Sequence, residues 1–134
     1  MSERPLKNSS QHPPAPVKIG LVGPCAAGKS TLAKRLRFLG YNIKHIAQEH
    51  SYVPYMWQRL TAPDLLIFLA ASFHVCTARR RLSWSEADYQ EQLRRLAHAR
   101  EHADFVIETD DLTPEAVRSA ALTFLRLHEV NSAA

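Results

Sequence analysis

Long hydrophobic runs are missing from this chain of 134 residues. None reaches the roughly 18 apolar residues that a membrane-spanning helix needs, so no membrane span is expected. The few basic residues near the N-terminus are not followed by an apolar stretch, so no secretory leader is expected either. Cysteine is scarce. Cys25 and Cys76 are too few for a disulfide framework, and they lack the spacing of a metal site. A reduced, cytoplasmic setting is the expectation that follows. No internal repeat is visible, which leaves repeat architectures without support.

What is present suits one globular domain. The chain is 46% hydrophobic and carries 17 basic against 13 acidic residues, a net charge of +4. An excess of that size suits an anionic ligand, nucleotide or nucleic acid alike. Residues 1–16 are polar, and Pro13, Pro14 and Pro16 exclude regular structure there. They read as a flexible tail, with residues 17–134 as the folded domain.

Residues 17–22 (VKIGLV) read as a short apolar strand. A helix over 31–39 follows, with Leu32, Leu36 and Leu39 on one side and Gly40 as its stop. Residues 41–47 alternate as a second strand, and 48–61 form a loop or short helical stretch. Residues 64–71 (DLLIFLAA) are near-continuously apolar, as in a strand buried on both faces of a parallel sheet. A basic stretch, Arg79, Arg80 and Arg81, comes next. Ser83 and Glu86 have capping-box spacing and predict a helix to about residue 101, with Leu93, Leu96 and Ala97 inward. Residues 104–109 are a further strand. Thr113 and Pro114 then open a last helix as cap and first residue, with Val117, Ala120, Ala121, Phe124 and Leu125 as its buried stripe. The alternation predicts an α/β fold: a compact three-layer structure with a parallel sheet and helices on both faces.

The strand at 17–22 runs into Gly23, Pro24, Cys25, Ala26, Ala27, Gly28, Lys29 and Ser30, then Thr31. The pattern is G-x-x-x-x-G-K-[ST], between a strand and a helix. Such a loop wraps backbone N–H groups around a phosphate. Its glycines permit the dihedrals and the close approach, and the helix aims its positive end at the same anion. Lys29 supplies a charge for the β- and γ-phosphates, and Ser30 a hydroxyl for Mg²⁺. Residues 23–31 are therefore the candidate nucleotide site, with Cys25 a small loop residue or a redox-sensitive one. No N-K-x-D element is present, so ATP rather than GTP is the default nucleotide.

On these residues the first third of the chain resembles the opening of small P-loop kinases, such as shikimate kinase and the nucleoside monophosphate kinases. The segment PDLLIFLAAS with the arginines at 79–81 is similar to the fourth strand and arginine-bearing lid of thymidylate-kinase-like enzymes. ADFVIETDDLTPEAV resembles their last strand, base-contacting loop and closing helix. The resemblance spans about residues 17–128. It implies a P-loop NTPase fold and transfer of the γ-phosphoryl group of ATP to a small-molecule acceptor. It also implies that the loop holding Asp110 passes the nucleobase, and that Glu49 stands where an acidic residue lies near Mg²⁺ and the acceptor. Glu49 is thus a candidate metal-associated carboxylate or base, and a solvated loop residue is the plainer alternative. Arg79 and Arg80 are candidates for neutralising phosphoryl charge, against a plain basic face. Tyr52, Tyr55, Met56 and Trp57 either line an acceptor pocket or pack over the sheet. Ala70 stands where the kinase pattern often has aspartate, and the interval from 48 to 63 is short. Ala70 and the lack of a clear Walker B strand ending in aspartate favour a nucleotide-binding module without catalysis, and the short interval counts against a large acceptor. An ATPase acting on nucleic acid is the least supported option, because no helicase-like motif is present.

Overall fold

The structure, a computed structural model, describes residues 17–80, 83–128 and 130. The expected tail at 1–16 and Arg81 lie outside the described residues. Strand β1 is Lys18–Val22 and helix α1 is Lys29–Phe38. Strand β2, Asn42–His45, leads into a 3-10 turn, Gln48–His50, and the short helix α2, Met56–Leu60. Strand β3, Leu65–Ala70, is followed by α3, Phe73–Arg80, and α4, Glu86–His102. Strand β4, Phe105–Glu108, and helix α5, Pro114–Leu127, complete the order.

The four strands form one parallel sheet in the order β2-β1-β3-β4. Side-chain alternation divides its interior in two. Ile19, Leu21, Ile67 and Leu69 pack with Leu32 and Leu36 of α1 and with Val117, Ala121, Phe124 and Leu125 of α5. Val22, Leu66, Phe68 and Ala70 pack on the other face, with Leu96 and Ala99 of α4 and Trp57 of α2. Apolar burial on both faces explains why β3 reads as a continuous hydrophobic run. Two aspartates fix where strands enter. Asp64 accepts from Lys18 N at 2.7 Å, and Asp104 accepts from Leu66 N at 2.8 Å.

Several boundaries differ from expectation. The helix expected from the Ser83/Glu86 spacing is capped two residues later. Ser85 Oγ accepts from Asp88 N, and the Asp88 carboxylate accepts from Ser85 N. Trp84 sets this register, because its ring packs between Phe73 and Tyr89 and its Nε1 donates to Thr77 Oγ1 at 2.7 Å. Ala97, expected inward, is exposed, and Tyr89, Gln92 and Ala99 are buried with Leu96. Leu39 is 40% exposed rather than part of the α1 stripe. The basic stretch at 79–81 begins as the end of a separate helix, α3. Thr113 caps α5 as expected, accepting from Ala116 N at 3.1 Å.

Connections from the strand tops run to opposite sides of β1, so the crevice between β1 and β3 is a topological switch point. Open α/β sheets place ligands at such points, beyond the carboxyl ends of their strands. The 23–30 loop emerges there.

Candidate functional site

The loop leaves β1 by a turn that only glycine fits. A Cβ on Gly23 would stand 2.3 Å from the carbonyl oxygen of Leu69. Ala27 N closes a turn on Pro24 O at 3.2 Å, and Ala26 and Gly28 take positive φ, 67° and 107°. Gly28 opens α1 without any side-chain cap. The first-turn N–H groups of α1 have no intrahelical acceptor, so the helix presents them and its positive end outward. A Cβ on Gly28 would meet no atom within 4 Å, which marks open space over the loop. Ser30 and Thr31 are exposed on this turn.

Lys29 folds back under the loop. It is 5% exposed, and its Nζ donates to Gly23 O, to Pro24 O at 3.1 Å and to Glu49 Oε2 at 2.9 Å. An ammonium has three donors, and all are engaged. Glu49 reaches Lys29 because β2 lies beside β1 and the 3-10 turn carries the carboxylate over the end of the strand. Glu49 is therefore no solvated loop residue. Its other oxygen, Oε1, is buried without a hydrogen-bond partner. A buried acceptor left unmade is costly, which marks this carboxylate as one that a ligand can complete. His45, on β2, has its pKa lowered, first by desolvation and then by the Lys29 charge, against an opposing contribution from Glu49.

Buried amides brace the pair. Gln92 of α4 accepts from Cys25 N at 3.0 Å through Oε1, and its Nε2 lies 3.2 Å from Cys25 Sγ. Gln48 accepts from Trp57 N and donates to Val53 O and Arg95 O. Arg95 donates to Glu49 O at 3.3 Å, binds Glu91 at 3.1 Å and lies 4.3 Å from the Tyr52 ring centroid. Arg95 thus ties α4 to the 3-10 turn as well as pairing with Glu91 within the helix.

On the α1/α5 face, a cavity of about 370 Å³ opens beside the loop. Ala27, Gly28, Thr31, Arg79, Thr109 and Leu112 are among its walls. Arg79 is committed to protein acceptors: it donates to Thr109 O at 2.7 Å, to Thr109 Oγ1 at 3.0 Å and to Ala27 O at 3.3 Å. It staples the loop to the end of β4. Arg80 is exposed. Asp110 does not line this cavity. It accepts from Ser72 N at 2.9 Å and borders a smaller space of about 170 Å³ on the α4 face. Trp57 is buried over the sheet, its Nε1 donating to His98 at 3.0 Å, whereas Tyr52 and Tyr55 are exposed.

Thus the loop, Lys29, Glu49 and Arg79 converge, and Arg80 and Asp110 stand apart from them. Gln92 and Gln48 carry no sequence signal, since a glutamine in a polar stretch reads as solvated. Arg79 carried one: it lies three residues after the buried Cys76, on the same face of a helix.

The staple yields a prediction. Arg79→Ala is expected to lower unfolding free energy by about 2 kcal/mol, given hydrogen bonds from a charged donor. Arg79→Lys is expected to recover less than half, because an ammonium lacks the planar fork. Urea denaturation measures both, and equal stability of Arg79→Ala and the parent contradicts the staple.

No protein-family model and no curated protein matches the chain, so its functional reading rests on the residues and their geometry.

Proposed function

We propose that the chain binds a nucleoside triphosphate, ATP by default, with its phosphates over the 23–30 loop, and that it transfers the γ-phosphoryl group to a small acceptor. This is the activity implied by the resemblance to small P-loop kinases. The observation that carries it is the buried Lys29–Glu49 pair beneath a glycine loop at the uncapped start of a helix. A structural salt bridge needs neither the loop nor the open space above Gly28, and a phosphate site uses both. The neighbouring cavity has the size of small-molecule sites and an arginine-lined wall, which suits the nucleoside end.

The residues fit the nucleotide and its Mg²⁺. Loop N–H groups and Lys29 would hold phosphate oxygens, with Ser30 and Glu49 toward the metal. The nucleotide brings the transferable phosphoryl group, and Mg²⁺ neutralises its charge. Lys29 enters the phosphate site only by exchanging present acceptors. Glu49 keeps that ammonium oriented until then. Its unpartnered second oxygen would take the acceptor hydroxyl's proton. Arg79 positions the loop through its carbonyls and is not itself the charge-neutralising group in this geometry.

Glu49→Gln separates these roles. It removes an anion that competes for Lys29, so binding of metal-free ATP is expected to hold or strengthen. Turnover is expected to fall by about a hundredfold or more. Weaker metal-free binding in a folded Glu49→Gln protein contradicts the assignment.

A second reading, a nucleotide-binding module without transfer, is favoured by two features. Ala70, at the end of β3, leaves no carboxylate beside the loop from that strand, and only a 3-10 turn and a five-residue helix join β2 to β3. Phosphorus NMR of the protein with Mg-ATP and pooled monophosphates, nucleosides and hydroxylated metabolites distinguishes the two. Transfer predicts a new phosphorylated species that Glu49→Gln suppresses. Bound but unconsumed ATP favours the module.

A further inference from the structure

Cys25, Glu49 and His50 come together where the loop meets the 3-10 turn. Their ligating atoms, one from each residue, all lie within 4.8 Å of one another. Cys25 Sγ stands 3.6 Å from His50 Nε2, and His50 Nε2 stands 3.8 Å from Glu49 Oε2. The geometry points to a site for a thiophilic divalent cation of the zinc class, held by Cys25, Glu49 and His50 with a fourth position left to water.

The distances argue for it. Zinc–sulfur and zinc–nitrogen bonds of about 2.3 and 2.0 Å at a tetrahedral angle separate sulfur from nitrogen by roughly 3.5 Å. The thiol and imidazole already have that separation. The donor set is soft and borderline, one sulfur, one nitrogen and one oxygen, which suits zinc and does not suit magnesium.

Two observations besides these distances point to a ligand. The Glu49 side chain is 5% exposed, and its Oε1 is buried without a partner while Lys29 engages Oε2. His50 Nε2 approaches Oε2, the oxygen that Lys29 also engages, so cation and ammonium would share this carboxylate, which accepts at both oxygens. Gln92 Nε2 lies 3.2 Å from the sulfur, and Gln92 Oε1 fixes the backbone of the same cysteine. A donor directed at a ligand sulfur is how surrounding residues orient a metal thiolate. On binding, the metal–sulfur bond forms as the thiol proton leaves to solvent, with no change of oxidation state. The second cysteine offers no such chemistry. Cys76 is buried, and burial pushes its thiol up to about 11.

This inference concerns the nucleotide-free protein and does not rest on the phosphoryl-transfer reading. Its test is titration of the nucleotide-free full chain with Co²⁺ under reducing conditions. The expected result is one equivalent bound, with a thiolate-to-cobalt charge-transfer band that Zn²⁺ removes stoichiometrically and millimolar Mg²⁺ does not. The band is expected to vanish in Cys25→Ser and to persist in Cys76→Ser. Loss of a ligand in His50→Ala, at a side chain 60% exposed, is expected to weaken binding by about tenfold or more. Circular dichroism confirms that each variant is folded. Absence of the thiolate band in the parent, an undiminished band in Cys25→Ser, or unchanged affinity in His50→Ala overturns the site.

Discussion

Lys29→Ala is expected to reduce Mg-ATP affinity by about a hundredfold or more, since each tenfold corresponds to about 1.4 kcal/mol and a charged contact to phosphate supplies several. The same substitution is expected to destabilise the fold. Lys29 and Glu49 are both buried, and truncating one partner leaves the other uncompensated. Breaking such a pair costs about 3 kcal/mol or more. The two effects are separable. In Lys29→Met with Glu49→Gln, no buried charge remains, so stability is expected to return toward that of the parent while ATP binding stays lost. Calorimetric titration reads the affinity and urea denaturation the stability. Parental affinity in the folded double variant contradicts the placement of phosphates on this loop. Full stability of Lys29→Ala contradicts the pairing.

Gly23→Ala is expected to lower stability by about 3 kcal/mol, the upper range for an inserted methyl group that the surroundings cannot accommodate. The obstacle is the Leu69 carbonyl oxygen, 2.3 Å from the added Cβ. That oxygen belongs to the backbone of a strand paired on both sides, so no side-chain rotation relieves the clash. Gly28→Ala provides the contrast. Its Cβ meets nothing, and only the positive φ opposes it, a strain of about 1 to 3 kcal/mol. The account therefore expects Gly28→Ala to fold and to bind ATP poorly, because the methyl group enters the open space over the loop. Urea denaturation and nucleotide titration on both variants check this. Equal stability of Gly23→Ala and the parent would falsify the tight apposition of loop and β3.

Much of this arrangement is written locally in the sequence. A run such as LLIFLA states its own burial, Thr113-Pro114 states a helix start, and the spacing from Gly23 to Ser30 states a loop between strand and helix. Those signals act between near neighbours. The partnership of Lys29 with Glu49 is different, because it depends on β2 lying beside β1, which no local spacing encodes. The same holds for Gln92, 67 residues from the cysteine it braces. The α4 start is a case of two overlapping signals. Ser83/Glu86 and Ser85/Asp88 both have the spacing of a cap, and the choice between them was made by a tryptophan packed on Phe73 and Tyr89. Arginines 79 and 80 differ only by helical phase: the first reaches Thr109 and the loop, and the second faces outward. Asp110 fits an expected base contact by position. Its carboxylate is instead engaged by Ser72 N, because the chain turns toward α3 after β4.

No helix among the described residues is long and apolar enough to cross a membrane. The most direct measurement is phosphorus NMR of Mg-ATP titrated with the parent protein and with the Lys29→Met, Glu49→Gln double variant. The account predicts saturable shifts of the β- and γ-phosphorus resonances with the parent and none with the double variant. Resonances unmoved by the parent at protein concentrations equal to the nucleotide, or moved equally by both proteins, would contradict the claim that the 23–30 loop holds a nucleoside triphosphate.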